Sequence, residues 1–364
     1  MNSLGFNKLE KDTKVVVAMS GGVDSSVAAV NLKKEGYEVI GVTLRLYSNS
    51  NVSKSKSCCA GVDIEDAKVV AKQYNIAHHV LDYQDKFFDG VINNFVESYS
   101  NAETPVPCIK CNQTVKFTDL LNEAKKMRAD ALVTGHYARR KGKLNDAKLY
   151  KAIDLKKDQT YFLFATLKEQ LNFIRFPIGN YLKSEIRQMA LSFNLSVRDK
   201  PDSQDICFVS SSSYREFIEK YQPEYNKEGN IYNSKMELIG KHKGITNYTI
   251  GQRKGIGIGG FEKPMYVLNV DKKNNSIIFG FENELKKSEV NLKNINWLGG
   301  NDLPKEMKCL AKIRSTQKEL PGILRTYDNK NAVFSFDNPI NSTSPGQACV
   351  FYKGEQVLGG GWIT

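Results

Sequence analysis

Residues 15–32 read VVVAMSGGVDSSVAAVNL. Three valines and an alanine make a continuous apolar run of strand length, and apolar residues recur at helical spacing after it. Between the two patterns stand Ser20, Gly21 and Gly22, and the helical pattern opens with Val23, Asp24, Ser25 and Ser26. A strand-to-helix turn of this composition aims backbone N–H groups together at the positive end of a helix dipole, where a phosphate or another anion binds. The glycines permit close backbone approach and the hydroxyls add donors. Asp24 is placed either to cap the helix or to meet a magnesium ion. An ordinary tight turn with a Ser/Asp cap is the competing reading of a Gly-Gly pair taken alone. No lysine follows the glycines, so this is not the lysine-bearing P-loop.

Working outward, strand patterns cover 14–19, 38–46, 77–82 and 130–134, with helical patterns at 24–36, 61–75, 85–99 and 113–128. This alternation predicts an α/β fold with a parallel sheet covered by helices on both faces. Ligands of such sheets bind beyond the carboxyl ends of strands, where both the Gly-Gly turn and TGHYAR (134–139) fall. Residues 46–57 (LYSNSNVSKSKS) and 101–113 (NAETPVPCIKCNQ) read as loops. From about residue 213 the pattern changes to one short helix, YREFIEKY (214–221), and Gly-rich β patterns such as YTIGQRKGIGIGG (248–260). The hairpin-like YVLNVDKKNNSIIFG (266–280) follows. Short strands and turns beyond about 286 predict a small antiparallel β-barrel. The expected division is 1–212, 213–285 and 286–364.

The chain has 364 residues, with 52 Lys+Arg against 40 Asp+Glu, a balance that favours a polyanionic partner. The start, MNSLGFNKLEKDTK, has no apolar core of signal-peptide type, and no apolar run approaches membrane-spanning length. A cytoplasmic protein without a membrane partner is expected. Seven scattered cysteines, an odd number, argue against a secreted disulfide framework. Cys58 and Cys59 are adjacent, and Cys108 and Cys111 form a single C-x-x-C. Without a second ligand pair that is a weak zinc signal. Cys207, in PDSQDICFV, reads by itself as a buried thiol.

Taken together, the motifs say more. SGGVDSS resembles the signature of the PP-loop ATP pyrophosphatases, an adenine nucleotide alpha hydrolase-like group that releases pyrophosphate from ATP. TPVPCIKCNQTVKF (104–117), VTGHYAR (133–139), KDQTYFL (157–163), FPIG (176–179) and KPDSQDICF (200–208) follow it in order. With YTIGQRKGIGIGG and SPGQACVFY (344–352), the series resembles the tRNA 2-thiouridylase family over nearly the whole chain.

That resemblance implies a PP-loop domain, a small central domain and a C-terminal barrel. The implied reaction replaces the 2-oxygen of the wobble uridine with sulfur. Cys111 matches the family's nucleophile and Cys207 the cysteine that carries the persulfide. Ser20, Gly21, Gly22, Val23, Asp24, Ser25 and Ser26 match the ATP-phosphate loop, with Mg2+ expected at Asp24. Leu44 and Gly135 match positions on the adenine and ribose side of ATP. Lys157, Asp158, Gln159, Arg314, Ser315 and Gln347 fall where the family contacts tRNA. Cys108 stands where many members carry an Asp thought to act as acid or base, which leaves that assignment open. His136 reads either as a group that binds RNA or as a turn residue satisfied by backbone. The implied sulfur source is a persulfide donor such as a cysteine desulfurase or a sulfur-relay protein. Arg139, Arg140, Lys141, Lys143, Arg253 and Lys254 are expected to meet phosphates, or else to form a solvated basic face.

Two other classes compete. A PP-loop amidotransferase or lysidine synthetase would adenylate an oxygen and need neither Cys111 nor Cys207. A degenerate RNA-binding module would bind tRNA without releasing pyrophosphate, and the intact SGGVDSS speaks against it.

Overall fold

A computed structural model of the protein describes residues 1–47, 61–143, 145–202, 206–209, 214–223, 227–257, 259–300, 302–341 and 343–364. Cys58 and Cys59 lie outside the described residues. The chain divides into two compact units: Met1–Val91, Cys108–Ser211 and Glu355–Leu358 form one, and Ile92–Pro107, Ser212–Gly354 and Gly359–Thr364 the other.

The first unit is built on a parallel sheet. Val15, Val16 and Val17 of β1 (Lys14–Ala18) are wholly buried, and each such side chain contributes roughly 1.5–3 kcal/mol by leaving water. α1 (Val23–Glu35), β2 (Glu38–Arg45), α2 (Gly61–Gln73), β3 (Ala77–Asp82) and α3 (Gln84–Phe87) follow. After α4 (Asn93–Ser100), part of the second unit, come α5 (Pro107–Cys111), a π-helix over Asn112–Leu120, α6 (Leu121–Lys126) and β4 (Ala131–Thr134). A hairpin of β5 (Ala138–Lys141) and β6 (Lys148–Lys151) leads to α7 (Lys168–Phe173), β7 (Ile174–Arg175) and α8 (Lys183–Ser192).

The sheet order is β3-β2-β1-β4-β7, all parallel, with Val16 opposite Ile40 on one side and Leu132 on the other. Chain order reverses between β1 and β4. That is the switch point where α/β sheets open a crevice for ligands, and both the Gly-Gly turn and the Gly135 turn border it. Four expected strands match to within a residue. Cys108 and Cys111 do not lie in a loop. Pro107 opens α5 at its first position, where a fixed φ and a missing N–H both suit a helix, so the prolines of 101–113 mark a helix start.

In the second unit, α4 packs on α9 (Tyr214–Tyr221). Phe95 meets Phe217 edge-on and Tyr99 stacks on Tyr214 with ring centroids 5.3 Å apart. A four-stranded sheet runs β10-β11-β8-β9, from β8 (Gly229–Asn233), β9 (Leu238–His242), β10 (Tyr266–Asp271) and β11 (Ser276–Gly280). The expected hairpin is β10–β11. YTIGQRKGIGIGG forms no strand among its described residues. Its backbone bonds to β10 through the Gly251 N–H to the Val267 carbonyl and the Val267 N–H to the Gln252 carbonyl. Its glycines supply no side chains for a pleated face.

Six strands then close an antiparallel barrel: β12 (Lys286–Trp297), β13 (Glu306–Lys312), β14 (Leu320–Thr326), β15 (Ala332–Asn341), β16 (Ala348–Lys353) and β17 (Gln356–Ile363). Their order is β12-β15-β14-β13-β16-β17, and β17 pairs back with β12. Among the described residues no helix is long and apolar enough to cross a membrane.

Candidate active site

The turn after β1 is shaped for an anion. Gly22 caps α1 in an extended conformation, and no side chain caps the helix. The first-turn N–H groups therefore keep their outward donors. Gly21 has φ +71°, and a Cβ there would collide with the Asp63 carbonyl oxygen. The Ser20 N–H donates to the Ser25 hydroxyl at 3.1 Å, and that hydroxyl reaches the Gly22 carbonyl at 3.3 Å. Ser26 is fully buried, and among the described residues its hydroxyl has no hydrogen-bond partner. A buried hydroxyl left unpaired costs about 1–3 kcal/mol, so it marks a place for an incoming acceptor. Gly135 closes the other side of the crevice: a Cβ on it would stand 2.7 Å from the Ser25 nitrogen. Leu44, near the carboxyl end of β2, is buried.

Asp24 does not cap α1. Both its oxygens accept from Lys183 Nζ at 2.8 Å, and Oδ1 also accepts from the Tyr137 hydroxyl at 2.8 Å. Lys183 reaches Asp202 as well, at 2.9 Å, so an ammonium already sits between the two carboxylates. Among the described residues no group of three or more His, Cys, Asp or Glu side chains is placed to hold a metal ion. Lys183 thus occupies the face of both carboxylates that a cation would use.

The segment leading to Cys207 is tied to the same turn. Lys200 donates to the Gly21 carbonyl at 3.1 Å, to Asp66 at 2.7 Å and to Asp63. Asp202 accepts from Lys157 at 2.7 Å and Arg187 at 3.0 Å besides Lys183. Burial works against the Asp202 carboxylate, but hydrogen bonds to Lys157 and Lys183 overcome it and hold its pKa at about 2. A depressed carboxylate stabilises the fold above its unfolded pKa near 3.8 and loses that contribution as pH falls through about 2. After solvent screening, Asp202→Asn is expected to cost about 1–2 kcal/mol at pH 6. The gap in urea midpoint between the two proteins should close between pH 4 and 2; a gap independent of pH would contradict the assignment.

The described cysteines are free thiols. Cys108 is exposed and Cys111 buried. Burial raises the Cys111 thiol pKa, Lys116 lowers it and Cys108 raises it. Cys207 is partly exposed, its carbonyl accepting from the Tyr47 hydroxyl at 3.0 Å, and the next residue, Phe208, packs edge-on to Phe87. Cys309 and Cys349 lie in the barrel strands. Burial pushes Cys309 up to about 12 and raises Cys349 well above its ordinary value, which makes them poor nucleophiles at neutral pH. His136 shares a hydrogen bond of 2.8 Å with Thr134 and stands edge-on to Phe117 and Phe176. Burial, then Lys116, hold it well below its ordinary pKa, so it is neutral.

Other expected site residues are held by their own fold. Lys157 pairs with Asp202. Asp158 accepts from the Ala152 N–H and the Thr160 hydroxyl, and Gln159 accepts from the Tyr137 N–H at 2.9 Å. Arg139 donates to the Lys151 carbonyl and pairs with Glu355. Arg140 donates to the Leu171, Gly142 and Lys143 carbonyls. Those two guanidiniums are committed to the protein, whereas Arg253 and Lys254 of the second unit are exposed. Also in the second unit, Arg314 and Ser315 are exposed beside a cleft that includes Thr316, Leu320 and Pro339. Gln347 donates to the Thr104 carbonyl at 3.2 Å. Tyr137, Lys183, Lys200 and Asp202 escaped the sequence reading. Tyr137, Lys200 and Asp202 stand inside quoted motifs, while Lys183 carries no local signal.

Residues 13–211 match the family model described as tRNA methyl transferase HUP domain. Residues 215–280 match the tRNA methyl transferase PRC-barrel domain, and 287–363 the aminomethyltransferase beta-barrel domain. A tRNA-specific 2-thiouridylase MnmA of Orientia tsutsugamushi (strain Boryong) is 49% identical over 99% of this chain and 98% of its own length. The protein of the same name from Rickettsia prowazekii (strain Madrid E) is 48% identical over 96% and 98%. Among solved structures, the U34-tRNA thiolase NcsA from Methanococcus maripaludis is 19% identical, covers 62% of this chain and 70% of that one, and has a TM-score of 0.36. That likeness is too low to carry an argument. Relatives matching end to end at nearly half identity, together with three consecutive domain matches, settle the family: the chain belongs to the tRNA-specific 2-thiouridylase MnmA family.

Proposed function

We propose that this chain is an ATP-dependent tRNA 2-thiouridylase that acts on the wobble uridine. The end-to-end relationship with curated 2-thiouridylases carries the reading. The uncapped start of α1 with its unpartnered Ser26 supports an ATP-phosphate site there. Residues 20–26 hold the triphosphate, with Leu44 and Gly135 on the nucleoside side. The three domains are 1–212, 213–285 and 286–364. Lys157, Asp158, Gln159, Arg314, Ser315, Gln347, Cys108 and His136 face the tRNA, and the chain works in the cytoplasm. Magnesium arrives as the counter-ion of ATP.

In this reading the uracil 2-oxygen attacks the α-phosphorus of ATP and pyrophosphate leaves, with the helix-start N–H groups stabilising the charge that develops. A poor leaving group thereby becomes AMP. A cysteine desulfurase or relay protein loads Cys207 with a persulfide. The terminal sulfur attacks C2 and AMP departs. Cys111 thiolate then attacks the Cys207 sulfur, releasing 2-thiouridine and leaving a Cys111–Cys207 disulfide. Alternatively Cys111 frees hydrosulfide first, and hydrosulfide attacks C2. Either route moves two electrons into the C–S product, and an external thiol must reduce the disulfide before the next turnover.

With unmodified tRNA, ATP, magnesium and a persulfide donor, AMP and pyrophosphate are expected in equal amounts, one for each 2-thiouridine counted by nucleoside mass spectrometry. Release of ADP and phosphate, or a nitrogen-bearing product, would overturn the reading.

A further inference from the structure

The helix that carries Cys111 changes its winding directly after that residue. α5 ends at Cys111, which is the N-cap of a nine-residue π-helix over Asn112–Leu120. The Thr118 hydroxyl bonds back to the Gln113 carbonyl, five residues earlier, at 2.8 Å. At 3.6 residues per turn, a side chain five positions along stands roughly 140° around the helix from the first. An i→i+5 ladder returns it to nearly the same face, and such windings are rare and concentrated at functional sites.

Lys116 is five positions after Cys111. On that winding Lys116 returns toward the side of the helix that carries Cys111, and its influence opposes burial: burial raises the Cys111 pKa and Lys116 lowers it. Cys108, one helical turn before, acts in the opposite direction. The turn after β4 brings His136 edge-on to Phe117 with ring centroids 6.0 Å apart, and burial followed by Lys116 keeps that imidazole neutral. The turn over Thr160–Leu163 offers its Phe162 carbonyl to Asn112 at 3.1 Å. Lys116 is thus the cation acting on a thiol otherwise disfavoured as thiolate by burial.

We propose that Lys116 is a positioning residue for thiol chemistry: presented by the π-helix, its ammonium stabilises the thiolate of Cys111, whose proton passes to solvent. The proposal rests on the reading of Cys111 as a reacting thiol.

The test compares wild type, Lys116→Met and Lys116→Arg. Each is pulsed with iodoacetamide between pH 6 and 10, and the tryptic peptide beginning at Cys111 is quantified by mass spectrometry. Methionine keeps much of the aliphatic stem, so packing is largely retained. The Met variant should show its inflection at higher pH and react about tenfold more slowly at pH 7.5, whereas the Arg variant should follow wild type. An unchanged inflection in the Met variant would overturn the proposal, and so would an equal displacement in both variants. Should Cys111→Ser still thiolate tRNA, the reading of Cys111 as a reacting thiol fails instead, with the alkylation profile of Lys116→Met unaffected.

Discussion

Cys111→Ser is expected to lower 2-thiouridine formation by about a thousandfold or more while ATP is still cleaved to AMP and pyrophosphate, and Cys207→Ser should do the same. A serine hydroxyl has the size of the thiol but cannot carry a persulfide, and it is a far weaker nucleophile at neutral pH. The separation of the two half-reactions follows from the fold. The phosphate-type turn is built from residues 20–26, with Gly135 closing its other side, and its hydrogen bonds run between Ser20, Ser25 and Gly22. Cys309 and Cys349 cannot substitute, since burial in the barrel holds both thiols protonated. The measurement is single-turnover thiolation with labelled persulfide, read as 2-thiouridine by mass spectrometry, beside a pyrophosphate assay on the same samples. Label should stay on Cys207 in Cys111→Ser and be absent in Cys207→Ser. Normal thiolated tRNA from either variant would remove the sulfur-relay assignment.

Gly21→Ala is expected to be nearly as damaging to the other half-reaction. At φ +71° an L side chain is strained, and the added methyl would also run into the Asp63 carbonyl, a backbone atom on α2 that has no easy way to move. The Gly21 carbonyl is moreover an acceptor of Lys200, so displacing the turn also disturbs the segment that leads to Cys207. Together these should cost about 2–4 kcal/mol of stability and lower pyrophosphate release by at least about a hundredfold. Gly5→Ala is the control: Gly5 has φ +82° but nothing within 4 Å of an added Cβ. It should lose only about 1 kcal/mol and keep its activity. If Gly21→Ala melts with Gly5→Ala and releases pyrophosphate at the wild-type rate, the turn does not hold the nucleotide.

The parallel sheet, the place of the Gly-Gly turn and the barrel were legible in the chain, because each is written in a local period. Val15–Val17 read as a buried strand since a strand covered on both faces needs an unbroken apolar run. YVLNVDKKNNSIIFG read as a hairpin because alternation and turn residues lie side by side in the chain. The motif order was likewise sufficient to identify the family. What the charged side chains do was not legible until the packing of distant segments was seen. Asp24 read as a cap or a metal ligand, and its partner among the described residues is Lys183, 159 residues later, which takes both its oxygens. Arg139 and Arg140 looked like phosphate binders, yet they are spent on carbonyls of their own unit. A long charged side chain can reach many partners, and which one it meets depends on how distant segments pack, a relation with no period to read. The π-helix was hidden for a related reason. Its apolar residues Val115, Phe117 and Leu120 fit a helical pattern either way, so the wider winding leaves no period of its own to read.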